Sequence, residues 1–369
     1  MSEVAAGVDA LLMDGRIVHV RPVSEGDKDA LSALYGRASP RTRYLRFFSA
    51  GISIDREVRR LMPGDDHVAL LAEHDGLVVG VASYEVLSDH QAEMAILVDD
   101  SWQGDGIGSL LIEHLTAVAR RDGIQELVGD VLATNVNMLR TSAGLAPGIA
   151  RQHGEDPGVV RIQIPTQPDE RALAAAGARD RTAEHNSLRP VLAPASLDVI
   201  GVSRSQSGVG YEVLRAVLAG GFTGRTYPVN PHAKTIDGLV CYPSIGAIPA
   251  EVDLAIIAVP AARVAEVVEE CGAAHVGAAV VLSSGFAETG PSGAATQSQV
   301  LASARRHDVR LVGPNCIGLT NTDPFIRLNA TFAPTAPLPG HLAVASQSGA
   351  VGVAILDSAK RSGVGISTF

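Results

Sequence analysis

Residues 103–108 read Gln103-Gly104-Asp105-Gly106-Ile107-Gly108 and lie between an apolar stretch, 92–98, and an amphipathic stretch, 109–121. The first stretch predicts a strand and the second a helix, because its leucines and Val118 recur at helical spacing. The three glycines let the connecting backbone close around an anion. A helix N-terminus attracts phosphate, since its first N–H groups have no acceptor inside the helix and its dipole adds partial positive charge. The stretch therefore predicts a phosphate-binding strand–loop–helix unit.

Elements on both sides of this unit predict a mixed α/β domain. Asp75-Gly76 favours a tight hairpin, because these residues tolerate the positive φ angles that such a turn needs. The other predicted strands are 17–20, 68–73, 78–86, 126–132 and 159–164, and the other predicted helices are 27–37, 40–48 and 136–142.

The second half of the chain predicts a different architecture. Residues 166–188 are rich in Ala, Arg, Asp and Glu without a clear apolar stripe, which favours a solvated linker or a single exposed helix. Strands and helices then alternate, which predicts a Rossmann-like, doubly wound parallel sheet. We therefore place a first domain at 14–165, the linker at 166–188, a second domain at 189–325 and the incomplete start of a flavodoxin-like subdomain at 326–369. One βαβ start cannot complete a sheet, so we expect the native chain to continue beyond Phe369.

The first domain resembles the GNAT acetyltransferases over almost its whole length. The resemblance rests on Gln103-x-x-Gly106-x-Gly108, Val20-Arg21-Pro22, Asn135-x-x-Met138 and Gly144-Leu145. It implies a GNAT fold and acetyl-CoA as the acyl donor, and a strand before the loop that bends away from its neighbour to free backbone groups for the thioester and pantetheine. The residues that it implies for cofactor binding are Leu97, Val98, Gln103, Gly104, Asp105, Gly106, Ile107, Gly108, Ser109 and Asn135.

Acetyl transfer to an amine needs two groups from the protein. Attack on the thioester builds negative charge on the carbonyl oxygen, which a fixed amide donor stabilises. The resemblance implies the backbone of Leu97 as this donor. The attacking amine must also lose a proton, because the reference pKa of lysine is about 10.4. The resemblance places a carboxylate at Glu93, our candidate base.

Alternatives to Glu93 as the base remain open. Glu93 is also typical of a solvated carboxylate at a strand edge. His67, His74, His90 and His114 are further candidate bases, and His114 lies in an apolar helical pattern that is more typical of a packed core histidine.

Two residues depart from the GNAT pattern. Asp105 stands where the family often has Lys or Arg, which predicts repulsion of the pyrophosphate and modest cofactor affinity. Ser142 stands where many members have a tyrosine that protonates the leaving thiolate. A thiolate with a pKa near 8 to 9 leaves with little help, so catalysis remains possible and the general acid stays unassigned.

The region 199–369 resembles the N-terminal part of the ADP-forming acyl-CoA synthetases. The motifs are Tyr227-Pro228-Val229-Asn230-Pro231, Ala258-Val259-Pro260, Ser284-Gly285-Phe286-Ala287-Glu288, Gly313-Pro314-Asn315-Cys316 and Ser346-Gln347-Ser348-Gly349. NAD is disfavoured, because the glycine spacing after the first strand is not GxGxxG and no acidic residue ends the second strand. The resemblance implies that this sheet binds CoA, although such residues can also only shape turns. The implied CoA-binding residues are Gly201, Ser203, Gly208, Asn230, Val259, Pro260, Ser284 and Gly285.

The pairing of the two domains resembles Pat-type bacterial protein lysine acetyltransferases. It implies a protein lysine N-acetyltransferase, an enzyme of the acyltransferase class, whose protein partner is an AMP-forming acetyl-CoA synthetase and whose second domain senses acyl-CoA. Three alternatives remain: an ADP-forming acyl-CoA ligase in the native full-length chain, a non-catalytic CoA-binding module, and an acetyltransferase for a small amine.

The composition of the chain narrows the possible partners, bound groups and location of the protein. The net charge of -10 and a pI near 5.5 disfavour nucleic acid as a partner. Cys241, Cys271 and Cys316 are far apart and lack CxxC spacing, so we predict no metal site and no disulfide framework. We find no apolar run long enough to cross a membrane and no leader pattern at the N-terminus, which predicts a cytoplasmic protein.

Overall fold

The computed structural model describes residues 7–49, 51–64, 67–145, 150–153 and 158–369. It divides into two compact units, Met1–Asn186 and Ser187–Phe369. Each unit has its own sheets and its own apolar cores.

The first unit is built on one eight-stranded sheet with the order β1-β2-β3-β4-β5-β6-β8-β7. Neighbouring strands are antiparallel except for β5 and β6, which are parallel because a helix connects them. The strands are β1 (Val8–Leu11), β2 (Ile17–Pro22), β3 (His67–His74), β4 (Leu77–Ser88), β5 (Gln91–Val98), β6 (Glu126–Leu132), β7 (Ala150–His153) and β8 (Val159–Pro165).

Helices cover both faces of this sheet, which gives the unit two cores. The helices are α1 (Lys28–Arg37), α2 (Pro40–Phe47), α3 (Ile54–Leu61), α4 (Ile107–Arg121), α5 (Val136–Leu145) and α6 (Glu170–Leu192), of which the part up to Asn186 belongs to this unit. Leu111 and Leu115 of α4 are fully buried in one core, and Leu31 and Leu34 of α1 are fully buried in the other. Successive residues of a strand point to opposite faces, so β5 contributes Met94 to the first core and Leu97 to the second.

The mixed α/β fold predicted for this region is confirmed, and so is the hairpin at Asp75-Gly76, where both residues have positive φ angles. The prediction missed β1, α3 and β7. Helix α3 has the sequence IDREVRRL, whose charged residues hide a short apolar face made of Val58 and Leu61. The segment at 166–188 that we expected to be a linker or an exposed helix lies mostly within α6.

The second unit contains a five-stranded parallel sheet with the order β10-β9-β13-β14-β15. In chain order this is 2-1-3-4-5, the flavodoxin-like arrangement of a doubly wound sheet, as expected from the alternation of strands and helices. The strands are β9 (Ser196–Ile200), β10 (Arg225–Val229), β13 (Leu254–Ile257), β14 (Ala278–Val281) and β15 (Arg310–Val312), with a small ribbon of β11 (Thr235–Ile236) and β12 (Leu239–Val240).

The end of the second unit forms a four-stranded mixed sheet with the order β17-β16-β19-β18. Its strands are β16 (Gly318–Asn321), β17 (Leu328–Thr331), β18 (Pro339–Ala343) and β19 (Ile366–Thr368), and the helices of the unit are α7 (Val209–Gly220), α8 (Ala261–Ala273), α9 (Pro291–Arg306) and α10 (Gly349–Arg361). The prediction missed α9, whose buried face consists mainly of small residues around Val300 and so lacks a strong apolar stripe. It also missed β16 and β17.

Asp198 is an exception in the apolar core of the parallel sheet. It lies in β9, is 0% exposed, and neither of its carboxylate oxygens has a hydrogen-bond partner in the described part of the chain. Burial raises the pKa of Asp198 well above the usual range, and burial also raises the pKa of the Cys271 thiol in α8. The fold therefore favours the neutral form of the Asp198 carboxyl.

We predict that this carboxyl makes the second unit less stable as the pH rises. The unfolded chain loses the Asp198 proton near pH 4, whereas the folded chain keeps it, so each pH unit between the two pKa values costs about 1.4 kcal/mol of unfolding free energy. Asp198→Asn should remove this dependence of the unfolding free energy on pH. Hydrogen exchange of peptides from β9 at pH 5, 7 and 9 measures the unfolding free energy in both proteins.

Glu251→Gln is the matched control, because Glu251 is an exposed carboxylate of the same unit. It should leave the pH dependence unchanged. An equal pH slope in wild type and Asp198→Asn would show that Asp198 is ionised in the folded state.

Candidate functional site

The loop between β5 and α4 has the backbone geometry of an anion site. Gly104 and Gly106 have φ angles of +98° and +97°, which L side chains rarely adopt. A Cβ atom placed on either residue would meet no other atom within 4 Å, so the space in front of the loop is open. Glycine is needed at both positions because of their positive φ angles, and the backbone of the loop faces open space.

Helix α4 presents unsatisfied N–H groups to this loop. Its first turn closes with the bond from Leu110 N to Gly106 O, at 3.0 Å. The N–H groups of Ile107, Gly108 and Ser109 precede that bond and have no acceptor inside the helix. The Ile107 side chain is fully buried and anchors the turn in the core. The first turn is thus fixed with its donors directed outward from the helix end.

Gln103 closes the base of the loop with its side chain. Its amide nitrogen donates to Thr42 Oγ1 at 3.3 Å and to Val98 O at 3.2 Å. Asp100 accepts from Ser39 N at 2.7 Å and from Thr42 Oγ1 at 2.5 Å. Burial alone would raise the pKa of Asp100, but the hydrogen bonds from Thr42 and Ser39 outweigh it and lower the pKa. Gln103 therefore connects the loop to α2.

Asp105 forms an ion pair with an arginine from outside the loop. Its Oδ2 lies 2.6 Å from Nη2 of Arg16, in the turn between β1 and β2. Arg16 is 89 residues away along the chain, so no local pattern identified the pair. The repulsion predicted from Asp105 is therefore offset by a cation from another element.

Strand β5 separates from β6 beside the loop, as the resemblance implied. The two strands pair only from Gln91 to Glu93, opposite Glu126 to Val128. On its other side, β5 pairs with β4 along its whole length, up to Val98 opposite Gly80. The second half of β5 thus has one paired edge and one edge that has left its neighbour.

The ladder decides which residues face that unpaired edge. Asp99 N donates to Val79 O at 2.9 Å, and in an antiparallel pair the residues that exchange hydrogen bonds alternate. The backbone N–H and C=O groups of Leu97, which is opposite Val81, therefore point toward β4. Those of Ile96 and Val98 point toward the side from which β6 has separated. This corrects the expectation that the Leu97 N–H is free to bind the thioester. The N–H groups of Ile96 and Val98 are instead the hydrogen-bond donors on the unpaired edge.

Glu93 lies at the point where the two strands separate, in the last pair that joins them. Its side chain is exposed. Glu85 is directly opposite on β4, and Arg60 of α3 donates to both Glu85 oxygens at 3.0 and 2.9 Å. The hydrogen bonds that Arg60 donates to Glu85 raise the pKa of Arg60, and the charge of Glu93 adds to this effect. Glu85 is thus held by an arginine, whereas Glu93 is solvent-accessible beside it.

Other candidates in this unit have structural contacts. The Asn135 side chain accepts from Met138 N at 3.2 Å and caps α5. Ser142 is fully buried and donates to Leu139 O, so it gives no exposed acid. Burial lowers the pKa of His114, which lines a cavity of about 710 Å³ between α4 and α6. His114 is half-buried at this position.

In the second unit, every implied CoA-binding residue lies beyond the carboxyl end of a parallel strand or, for Gly208, at the start of α7. Gly201 follows β9, and Val259 and Pro260 follow β13. These two strands are neighbours where the strand order reverses, the position at which such sheets bind ligands. A Cβ at Gly201 would lie 2.4 Å from Ala258 O, so only glycine fits there. The crevice floor is therefore made of backbone.

The rim of this crevice carries hydroxyl groups and a helix N-terminus. Ser203 Oγ lies 2.6 Å from Ser205 Oγ, which lies 2.9 Å from Ser207 Oγ. Gly208 has a φ of +88° and begins α7 with nothing within 4 Å of an added Cβ. The arrangement provides hydroxyl donors next to free N–H groups, which suits phosphate.

The remaining implied residues also maintain the shape of the loops. Asn230 donates to Val202 O at 2.6 Å and accepts from His232 N at 2.7 Å. Gly285 has a φ of +108°, and its N–H donates to Glu288 at 2.7 Å. Val259 O accepts from Ser283, and the adjacent Ser284 is exposed. Asn230 thus ties the ends of β9 and β10 together.

Among the residues that the structure describes, no group of three or more His, Cys, Asp or Glu side chains is placed to hold a metal ion. Within the same ranges, none of the helices is long and apolar enough to cross a membrane.

Comparisons with known proteins match both units. Residues 35–141 match the family model described as Acetyltransferase (GNAT) family, and residues 196–322 match the CoA binding domain. An acetyltransferase of Pseudomonas aeruginosa is 32% identical over 132 residues, which cover 34% of this chain and 71% of that protein. The GNAT domain of S. lividans PAT is 30% identical with a TM-score of 0.41, over 45% of this chain and 99% of that one.

The second half matches acyl-CoA ligases. An ADP-forming acetate–CoA ligase of Archaeoglobus fulgidus is 47% identical over 174 residues, which cover 47% of this chain and 25% of the ligase. The corresponding α subunit from Pyrococcus furiosus is 41% identical, over 46% of this chain and 37% of that subunit. The chain thus spans between a quarter and two fifths of the length of these ligases.

We predict that Gly106→Ala weakens CoA binding at the first loop. A side chain at φ +97° costs about 1–2 kcal/mol, which the loop avoids by moving its N–H groups, so the affinity should fall about tenfold. The protection of peptide 99–112 from hydrogen exchange, measured at increasing CoA concentration, reports this site separately from the second unit.

The matched control is Gly36→Ala. Gly36 lies in α1, and an added Cβ there meets nothing within 4 Å. This change should leave CoA binding intact and stabilise the helix slightly. If Gly106→Ala binds CoA as tightly as Gly36→Ala does, the loop conformation is not what CoA recognises.

Proposed function

The chain belongs to the GNAT acetyltransferase family through its first unit, and we propose that it transfers the acetyl group of acetyl-CoA to a lysine side chain of a protein. Strand β5 supports this proposal, because it ends its pairing with β6 at Glu93 and runs from there to the Gly-rich loop. A carboxylate, an unpaired strand edge and an anion site thus follow one another along one segment. This order matches an acyl donor with its thioester near one end and its pyrophosphate near the other.

The donor would be held by backbone groups. The N–H groups at the start of α4 suit the pyrophosphate, and the unpaired edge at Ile96 and Val98 suits the pantetheine amides and the thioester. A backbone N–H group that is fixed on a strand needs no reorganisation when negative charge develops on the thioester oxygen. Such hydrogen-bond donors therefore accelerate acyl transfer.

The reaction removes two protons from the lysine nitrogen. The ammonium first passes one proton to Glu93, directly or through water, and the neutral nitrogen then attacks the thioester carbonyl carbon. A C–N bond forms, the C–S bond breaks and the CoA thiolate leaves, while the second nitrogen proton passes to the thiolate or to solvent. Glu93 is available for this role because the neighbouring arginine is already hydrogen-bonded to Glu85.

We predict that Glu93→Gln lowers kcat about 100-fold, because the amide cannot accept the proton. The KM for acetyl-CoA should change little, since the carboxylate faces the acceptor. Incubation with labelled acetyl-CoA and a cell lysate, followed by identification of acetylated lysines, gives the acceptors. Steady-state kinetics with an acceptor found in this way gives kcat and KM.

Asp29→Asn is the matched control, because it changes an exposed carboxylate of α1 in the same unit and leaves the pairing of Arg60 with Glu85 intact. Its kcat should stay within a few fold of the wild type. Equal turnover by Glu93→Gln and wild type at saturating acetyl-CoA would remove Glu93 from the mechanism. Label found only on small amines would contradict a protein acceptor, and no label at all would favour a CoA-binding module without catalysis.

We further propose that the acceptor is an AMP-forming acetyl-CoA synthetase. The support is the combination of a GNAT domain with a CoA binding domain in one chain, which resembles the Pat-type enzymes. Acetylation removes the positive charge of a lysine and its charge-assisted contacts, so it would switch off an enzyme that needs that lysine. Such control would link the supply of acetyl-CoA to its concentration.

In this proposal the second unit senses CoA or acyl-CoA. We predict that Ser203→Glu, which adds a carboxylate at the crevice, weakens CoA binding there and shifts the CoA concentration at which the transfer rate responds. Hydrogen exchange of residues 199–210 measures the binding. If binding is lost and the rate still responds to CoA as in wild type, the second unit is not the sensor.

Ligase activity is the second candidate function, favoured by 47% identity to an ADP-forming acetate–CoA ligase in the second unit. It would form acetyl-CoA, ADP and phosphate from acetate, CoA and ATP. Incubation of the longest native form of the protein with these three substrates distinguishes the candidates. Release of ADP that depends on both acetate and CoA would support the ligase.

A further inference from the structure

Arg16 lies against the Gly-rich loop and is held there from several sides. Its Nε donates to Asp14 at 2.6 Å, and its Nη2 donates to Asp105 at 2.6 Å. Its guanidinium is 4.3 Å from the centre of the Trp102 ring, and the centre of the His74 ring is 4.8 Å from the same ring centre. We call Arg16, Asp14, Trp102 and Asp105 the Arg16 cluster.

Asp105 is in a position to compete with the substrate. It directly precedes Gly106, the N-cap of α4, and a carboxylate near a helix N-terminus is attracted by the free N–H groups and by the helix dipole. Those same N–H groups are the ones that suit a pyrophosphate. An unrestrained Asp105 would therefore act as an internal anion at the site.

The observed side chain does not make that contact. Asp105 Oδ2 is hydrogen-bonded to Arg16, whereas α4 begins at Gly106 without a side-chain cap. Arg16 in turn is fixed by Asp14 within its own turn, where Asp14 also accepts from Arg16 N at 3.0 Å. The arginine is thus held before any ligand binds, and it draws the carboxylate away from the helix end.

We propose that Arg16 is a positioning residue for acyl-CoA binding, which holds the Asp105 carboxylate away from the N–H groups of α4 so that the substrate pyrophosphate can take its place. The proposal rests on the proposed function only in taking this loop as the acyl-CoA site. It assigns the role to an arginine outside the loop motif, together with an aspartate that looks unfavourable in the sequence.

The test uses Trp102, the only tryptophan of the chain, as a local reporter. Its fluorescence, excited at 295 nm in the full chain, is titrated with CoA and with acetyl-pantetheine, which lacks the pyrophosphate. Arg16→Ala should raise the Kd of CoA about tenfold, the size of effect expected when a carboxylate blocks a helix N-terminus. The Kd of acetyl-pantetheine should be unchanged.

The double variant decides how Arg16 acts. In Arg16→Ala with Asp105→Asn the competing charge is gone, so CoA affinity should return to within about twofold of Asp105→Asn alone. If the double variant binds CoA as weakly as Arg16→Ala, Arg16 does not act through Asp105 and the proposal is wrong. Equal weakening for CoA and acetyl-pantetheine would show general damage to the loop and would also overturn it.

Arg121→Ala is the charge-matched control, because it removes one exposed arginine from the other end of α4. It should leave CoA affinity unchanged, and an effect as large as that of Arg16→Ala would contradict a local mechanism. A wild-type chain whose Trp102 fluorescence ignores CoA would refute both this inference and the proposed acyl-CoA site. A normal response in wild type and Arg16→Ala alike refutes the inference alone.

Discussion

The separation of β5 from β6 is the constraint on which the first unit depends. Hydrogen bonding continues along one edge of β5 to its end, whereas on the other edge it stops at Glu93. Backbone groups that lose a partner inside a fold need another one, so the separation creates a demand that an extended polar ligand can satisfy. The α4 N-terminus lies at the end of the same segment, and the strand and the helix end together define a path for one molecule.

Local patterns predicted the parts of the fold in which one segment carries its own signal. The loop 103–108, the hairpin at Asp75-Gly76 and the parallel strands of the second unit all have such patterns, and the structure contains them. Helix α3 is amphipathic but short and rich in charged residues, and α9 buries mainly small residues, so neither has a long apolar stripe. Their positions depend on packing against residues distant in the chain.

In the candidate site, too, local patterns predicted some features, whereas others depended on contacts between distant segments. The glycines could be proposed from spacing and Glu93 from the family resemblance, but the choice between Leu97 and Val98 required the register of β5 against β4. The partner of Asp105 came from a turn 89 residues earlier, and the capping role of Asn135 required the start of α5. Pairwise contacts between elements carry this information, and no motif within one segment contains it.

The backbone floor of the second crevice restricts how this unit can diverge. Added Cβ atoms at Gly201 and Gly210 would lie 2.4 and 2.8 Å from backbone oxygens, so neither position can acquire a side chain without displacing a strand or a helix. The serines at 203, 205 and 207 are bonded mainly to one another and project from the rim. Evolution of a new ligand preference in this unit therefore has to proceed through the rim, while the floor stays invariant.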